Sequence, residues 1–192
     1  MGMDKQTRTV DVILETAQKL VQEFGFNGFS YAHIAEILGI RTASIHYYFP
    51  NKEDLGEALI ARYYKNFTSA IAQIDAMNPN SLEKLSKFML LYSAPVQDHS
   101  TCMGVMLSTD LATLSSKTQD GVAKLFIANL EWLESVMEQG RQEGHLKFDG
   151  SAVVQAHRLL ASLQGAQLLA GSYRDSRRFE KVAEGLLTAF TS

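Results

Sequence analysis

Val10, Ile13, Leu14, Ala17, Val21 and Phe24 recur at the three- and four-residue spacing of one helix face. Similar patterns continue along the chain with little to interrupt them. Its 192 residues include only three prolines, and Gly/Asn clusters are few and widely spaced. An all-β domain needs many more turn signals. The expected fold class is therefore all-α, with about nine helices, and the length is ample to bury a core in one or two domains.

The spacing predicts a first helix over about 5–24, stopped by Gly25 in a left-handed conformation. Ser30 caps a short second helix reaching about Leu38, Gly39-Ile40 makes a tight turn, and a third short helix runs over about 42–48. Pro50 ends it, because proline disfavours helix in the residue before it. Asn51 caps a long fourth helix to about Ala76, with Asp54 three residues later and Glu53 beside it in the first turn. Met77-Asn78-Pro79-Asn80 is a break. Further helices follow over about 81–97, 116–143, 150–171 and 175–190, with short helical turns around 104–113.

Several function classes are disfavoured. No run of 18 apolar, uncharged residues suggests a membrane span, and Met1 to Val10 lacks a signal-peptide segment. With a single cysteine, Cys102, the expectation is a cytoplasmic protein without disulfides. The five histidines, at 33, 46, 99, 145 and 157, show no metal-pair spacing, and there is no phosphate-binding glycine loop. His99 near Cys102 suggests a nucleophile pair, but no third orienting group can be named. No cofactor, metal or enzymatic activity is expected. The net charge is −3, and residues 1–76 hold nine acidic against seven basic residues. Any affinity for DNA must therefore come from a local patch of donors.

The stretch from Ser30 to Tyr48 has the grammar of a helix-turn-helix: two short helices, a glycine turn, and a second helix with polar and aromatic early residues. Thr42, Ser44, His46 and Tyr47 offer contacts suited to base edges, and Ala43 allows close approach. Ile45 and Phe49 are the inward anchors. Tyr48 and Lys52 look like phosphate donors, Lys52 at a helix N-terminus that itself favours an anion. Two ordinary surface helices would carry the same pattern, and His46 would suit a half-buried core position. Tyr47 and Tyr48, being adjacent, cannot both face one core stripe.

Three blocks, Phe29 to Ile40, Ser44-Ile45-His46-Tyr47-Tyr48-Phe49 and Asn51-Lys52-Glu53-Asp54-Leu55, resemble the tetracycline-repressor-like family of transcription regulators, over about residues 8–65. The resemblance implies a helix-turn-helix DNA-binding domain over 1–52 and a ligand-binding and dimerisation domain over 53–192. It implies a homodimeric repressor on a palindromic double-stranded operator, released by a small-molecule or reactive-electrophile inducer. The DNA-binding set expected is Ser30, Tyr31, Thr42, Ala43, Ser44, His46, Tyr47, Tyr48 and Lys52. Release is expected to use the fourth helix as a lever that changes the separation of the two reading helices. Arg41, Thr42 and the order His46-Tyr47 depart from the family's usual residues. The rival is a helical ligand-binding or enzymatic protein with no DNA role.

The segment 150–171 is apolar on two sides: Val153, Ala156, Leu160 and Leu163 form one stripe, and Ala152, Leu159, Ala166 and Leu169 another. One face is expected on the core and one on a partner subunit, with Leu159, Ala161, Gly165, Ala166 and Leu169 as dimer residues. Tyr92, Cys102, Met106, Phe126 and Gln164 are the candidates for ligand binding or sensing. Met77, Met89, Met103, Met106 and Met137 either fill the core or help line an apolar cavity. The stretch from Ser100 to Ser108 resembles an electrophile-responsive subgroup of the same family, with Cys102 as the sensing thiol. The alternative is that Cys102 is a small buried apolar residue.

Overall fold

The computed structural model describes residues 5–77, 80–97 and 100–191. Among the described residues every regular element is helical: α1 (Lys5–Phe24), α2 (Tyr31–Leu38), α3 (Thr42–Tyr48), α4 (Lys52–Met77), α5 (Ser81–Gln97), α6 (Met103–Thr109), a 3-10 turn (Leu111–Thr113), α7 (Ser116–Gln142), α8 (Ala152–Tyr173) and α9 (Arg177–Ala189). None of these helices is long and apolar enough to cross a membrane.

The chain forms two compact units, and they divide it differently from the expected boundary after residue 52. The first contains residues 1–64 and 103–123, the second 65–102 and 124–192. The division falls inside α4 and again inside α7. Residues 103–123 rejoin the N-terminal helices through long-range packing that no local periodicity signals. Gly121 shows how close that packing is: a Cβ there would lie 2.7 Å from the Ile60 side chain.

In the first unit Ile13, Leu14, Ala17 and Val21 of α1 are buried as their spacing predicts, whereas Phe24 is exposed. Gly25 ends the helix at φ 79°, its N–H donating to the Val21 carbonyl at 2.9 Å. In the second unit Phe88, Leu133, Met137, Leu159 and Leu163 centre the core, joined by Phe179 of α9. Met89, Met103 and Met137 are buried, in keeping with core filling, but Met77 is exposed.

Helix α8 resolves its two apolar stripes in an unexpected way. Leu159 (0% exposed) and Ala166 sit with Ala156, Leu160 and Leu163 on one broad buried face. They belong to the chain's own core and are corrected out of the dimer set. Leu169 is 55% exposed and Ala161 is also exposed; Gly165 is half-buried, with nothing near its missing Cβ. These three lie on the opposite side, with the exposed Val154 and Leu168.

Candidate functional site

Helices α2 and α3 are joined by a turn that needs a glycine. Gly39 has φ 63°, in the left-handed region, and the following Ile40 N–H donates to the Ala35 carbonyl at 3.0 Å. Before α2, the Ser30 N–H donates to His33 Nδ1 at 3.2 Å, so His33, for which sequence assigns no role, helps close the helix start. After α3, Asn51 and Asp54 form the expected reciprocal cap. The Asp54 N–H donates to Asn51 Oδ1 at 2.9 Å, and the Asn51 N–H donates to Asp54 Oδ2 at 3.4 Å.

Helix α3 is fixed from behind by Ile45 and Phe49, both buried. Its other face is open: Thr42, Ala43, Ser44, His46 and Tyr47 are exposed, Tyr47 at 71%, and Tyr48 is half-buried. The rings of Tyr47 and Tyr48 meet edge to face at 5.0 Å. His46 is not a core residue. Its ring packs against Tyr31 at 4.7 Å, and its Nδ1 is 3.1 Å from the Pro50 carbonyl, which can only accept, so Nδ1 is the donor in that contact.

Two expected DNA contacts are engaged inside the domain. The Tyr31 hydroxyl is buried and donates to the carbonyls of Phe49 (3.0 Å) and Asn51 (2.5 Å), tying α2 to the turn after α3. Burial, with a smaller contribution from Asp54, pushes its pKa up to about 12. Lys52 is half-buried; its ammonium donates to the Phe29 carbonyl and lies 4.9 and 4.3 Å from the ring centres of Phe26 and Phe29. Burial lowers its pKa, and the nearby charge of Asp110 offsets part of that. Both residues act here as braces for the reading helix. The reason is physical: a long side chain at a helix start points to whatever it can pack on, and two aromatics from the preceding turn are within reach.

That leaves Arg41 as the solvent-facing lysine or arginine of residues 30–52, directly before α3. In the sequence Arg41 stands out only as a departure from the family's usual residue; its exposure directly before the reading helix is what recommends it. Ser30 is also exposed, at the start of α2.

In the second unit the ligand candidates fall into a buried polar cluster. The Tyr92 hydroxyl donates to Asn129 Oδ1 at 2.8 Å, and burial pushes its pKa well above the ordinary value. Gln167, also buried, donates to the Tyr92 carbonyl at 2.6 Å and accepts the Cys102 N–H at 3.3 Å. Gln164 sits beside the Tyr92 hydroxyl, and its buried Nε2 makes no hydrogen bond of ordinary geometry among the described residues. Phe126 packs on the same core. Met106 does not belong with them: it lies in the first unit, 3.8 Å from where a Cβ of Gly25 would be. Cys102 is 6% exposed, and His99 lies outside the described residues. A crevice of about 770 Å³ in this unit is lined by Arg141, Phe148, Arg158 and Phe190 among others, and by none of the ligand candidates.

Comparison with known proteins agrees with the geometry. The family described as "Bacterial regulatory proteins, tetR family" matches residues 13–59. The Escherichia coli (strain K12) HTH-type transcriptional repressor NemR is 26% identical over 190 residues, covering 96% of this chain and 94% of that one. A TetR transcriptional regulator from Legionella pneumophila superposes with a TM-score of 0.86 at 30% identity, covering 99% and 100% of the two chains. A TetR-family regulator from Agrobacterium tumefaciens does so with a TM-score of 0.92 at 29% identity, covering 98% and 100%.

Proposed function

The chain belongs to the tetR family of bacterial regulatory proteins, and we propose that it is a homodimeric repressor of a palindromic operator, released by a small-molecule inducer. It is a DNA-binding transcription regulator, not an enzyme. The observation that carries the reading is the face of α3. A helix anchored from behind by Ile45 and Phe49 and braced by Tyr31 leaves Thr42, Ala43, Ser44, His46 and Tyr47 exposed for a major groove, and the exposed Ser30 and Arg41 are the proposed contacts to flanking phosphates. The exposed side of α8, with Ala161, Gly165 and Leu169, is the proposed subunit contact. Two reading helices related by a two-fold axis would meet successive grooves about 34–36 Å apart.

The inducer acts in the second unit, where it favours a conformation whose reading helices no longer match that spacing. The thiol of Cys102 is buried and reaches an electrophile only if the surrounding helices open, which favours a reversible ligand as the inducer. Treatment with N-ethylmaleimide tests it: an adduct on Cys102 of the native dimer, with DNA release abolished by Cys102→Ser, would replace the reversible ligand with a covalent one. The DNA reading is tested by selecting duplexes from a random pool with the purified protein. An enriched inverted repeat is expected; no enrichment at any salt concentration would overturn it.

A further inference from the structure

We propose that Asp110 is a positioning residue, through which the returning segment 103–115 sets the orientation of the DNA-reading helices. The inference rests on the DNA-binding reading above and concerns contacts within the first unit alone.

The turn between α1 and α2 presents its N–H groups to this one carboxylate. Phe26 N–H donates to Asp110 Oδ2 at 2.7 Å and Asn27 N–H donates to the same oxygen at 3.2 Å. The Asn27 side-chain amide donates to Oδ1 at 3.0 Å and to Thr113 Oγ1 at 2.9 Å. Thr113 in turn donates its hydroxyl to the Asp110 carbonyl at 2.8 Å. Three N–H donors on one carboxylate are charge-assisted bonds, stronger than neutral ones. The turn is shaped for that approach: Gly25, at φ 79°, leaves open the space where a Cβ would lie 3.1 Å from Asp110 Oδ2.

The turn so held carries Phe26 and Phe29, packed edge to face at 6.1 Å. Their rings and the Phe29 carbonyl hold the Lys52 ammonium at the first residue of α4. Two residues after Phe29, Tyr31 ties α2 to the carbonyls of Phe49 and Asn51 at the end of α3. Asp110 therefore stands at the head of a continuous set of contacts that fixes both ends of the reading pair. It is also the anion that supports the charged form of Lys52 against burial. Because the hydrogen bonds to Asp110 join residues 103–115 directly to the turn, a shift of Asp110 is felt at Phe26 and Asn27.

The test uses the full-length protein, a duplex selected by the wild type from a random pool, and a random-sequence duplex of equal length. Asp110→Asn puts an amide donor in place of one acceptor oxygen, against donors that need acceptors. Its affinity for the selected duplex is expected to fall about tenfold or more, while affinity for the random duplex changes less than about twofold, since phosphate contacts tolerate a tilt that base contacts do not. Amide hydrogen exchange is expected to accelerate at Phe26 and Asn27 and also within α3. Equal losses on the two duplexes, or an unchanged selected-duplex affinity, would overturn the positioning role. If Asp110→Asn does not fold, Asn27→Ala removes only the side-chain bonds to Asp110 and Thr113; it should show a smaller split in the same direction, and no split sinks the proposal. If the wild type selects no duplex, the DNA reading fails by itself, and exchange then decides: acceleration within α3 supports the coupling and unchanged α3 amides overturn it.

Discussion

Helices α3 and α8 both turn a face toward a proposed partner, but they are held in opposite ways. Of the seven residues of α3 only Ile45 is buried, so its direction depends on its neighbours: Phe49 behind it, and Tyr31 tying its end to α2. Helix α8 buries nine of its 22 residues and needs no outside brace. The exposed remainder differs in kind as well. On α3 it is small, polar or aromatic with hydrogen-bonding tips; on α8 it includes Val154, Leu168 and Leu169. A face of Thr, Ser, His and Tyr stays solvated until it meets base edges and phosphates. A face with exposed leucines on a self-supporting helix suits a dry contact with another protein surface.

The sharpest way to break this comparison is on α8, where two leucines ten residues apart have opposite fates. Leu159→Ala removes a fully buried side chain and is expected to cost about 2–5 kcal/mol in chemical denaturation. Leu169→Glu is expected to leave the subunit folded and to shift the light-scattering mass from a dimer to about 21 kDa. A dimer surviving Leu169→Glu, and likewise Gly165→Trp, would move the subunit contact elsewhere.

A smaller effect is expected at Tyr31. Tyr31→Phe leaves the Phe49 and Asn51 carbonyls without their shared donor, at a cost of about 1–3 kcal/mol. The pH dependence has a definite sign. The native hydroxyl is pushed up to about 12 from an ordinary 10.0, so between these values the folded chain keeps a proton that the unfolded chain releases. The contribution is intact below pH 10 and is lost as pH rises toward 12. Tyr92 is shifted in the same direction, so the diagnostic quantity is the difference between wild type and Tyr31→Phe across that window. Parallel stability curves would contradict the buried, hydrogen-bonded phenol.

What sequence made legible follows the range of each interaction. Helix ends set by local chemistry were readable: Gly25, Gly39 and the Asn51–Asp54 cap lie where their residue types demand. The two apolar stripes of α8 are visible in the sequence, but their spacing alone does not tell which apolar positions turn inward, so sequence places Leu159 and Ala166 toward a partner where the structure buries them in the chain's own core. Lys52 at a helix start reads as a phosphate donor, and nothing nearby in sequence shows that Phe26 and Phe29, more than twenty residues earlier, enclose it. The Asp110 contacts join residues 84 and 83 positions apart, beyond any local pattern, and the division of the chain into units was hidden for the same reason.

The smallest expected change in stability sharpens the comparison from the α3 side. Tyr47 is the most open aromatic of the reading helix, and its ring meets the neighbouring Tyr48 ring edge to face. Truncating an exposed side chain away from caps and core costs within about 0.5 kcal/mol, so Tyr47→Ala should unfold almost as the wild type does. If Tyr47 meets a base edge, the same change should lower affinity for the selected duplex by about 1–3 kcal/mol and relax preference at one position of each half-site. Affinity for random duplex should hardly move, because a base contact contributes little where phosphates supply the binding. Stability and specificity would then separate at one residue, as they cannot at Ile45, where the side chain that anchors the helix also sets its direction. A marked loss of stability in Tyr47→Ala, or equal losses on both duplexes, would mean that this ring braces the domain as Tyr31 does, and that the reading face is narrower than its exposure suggests.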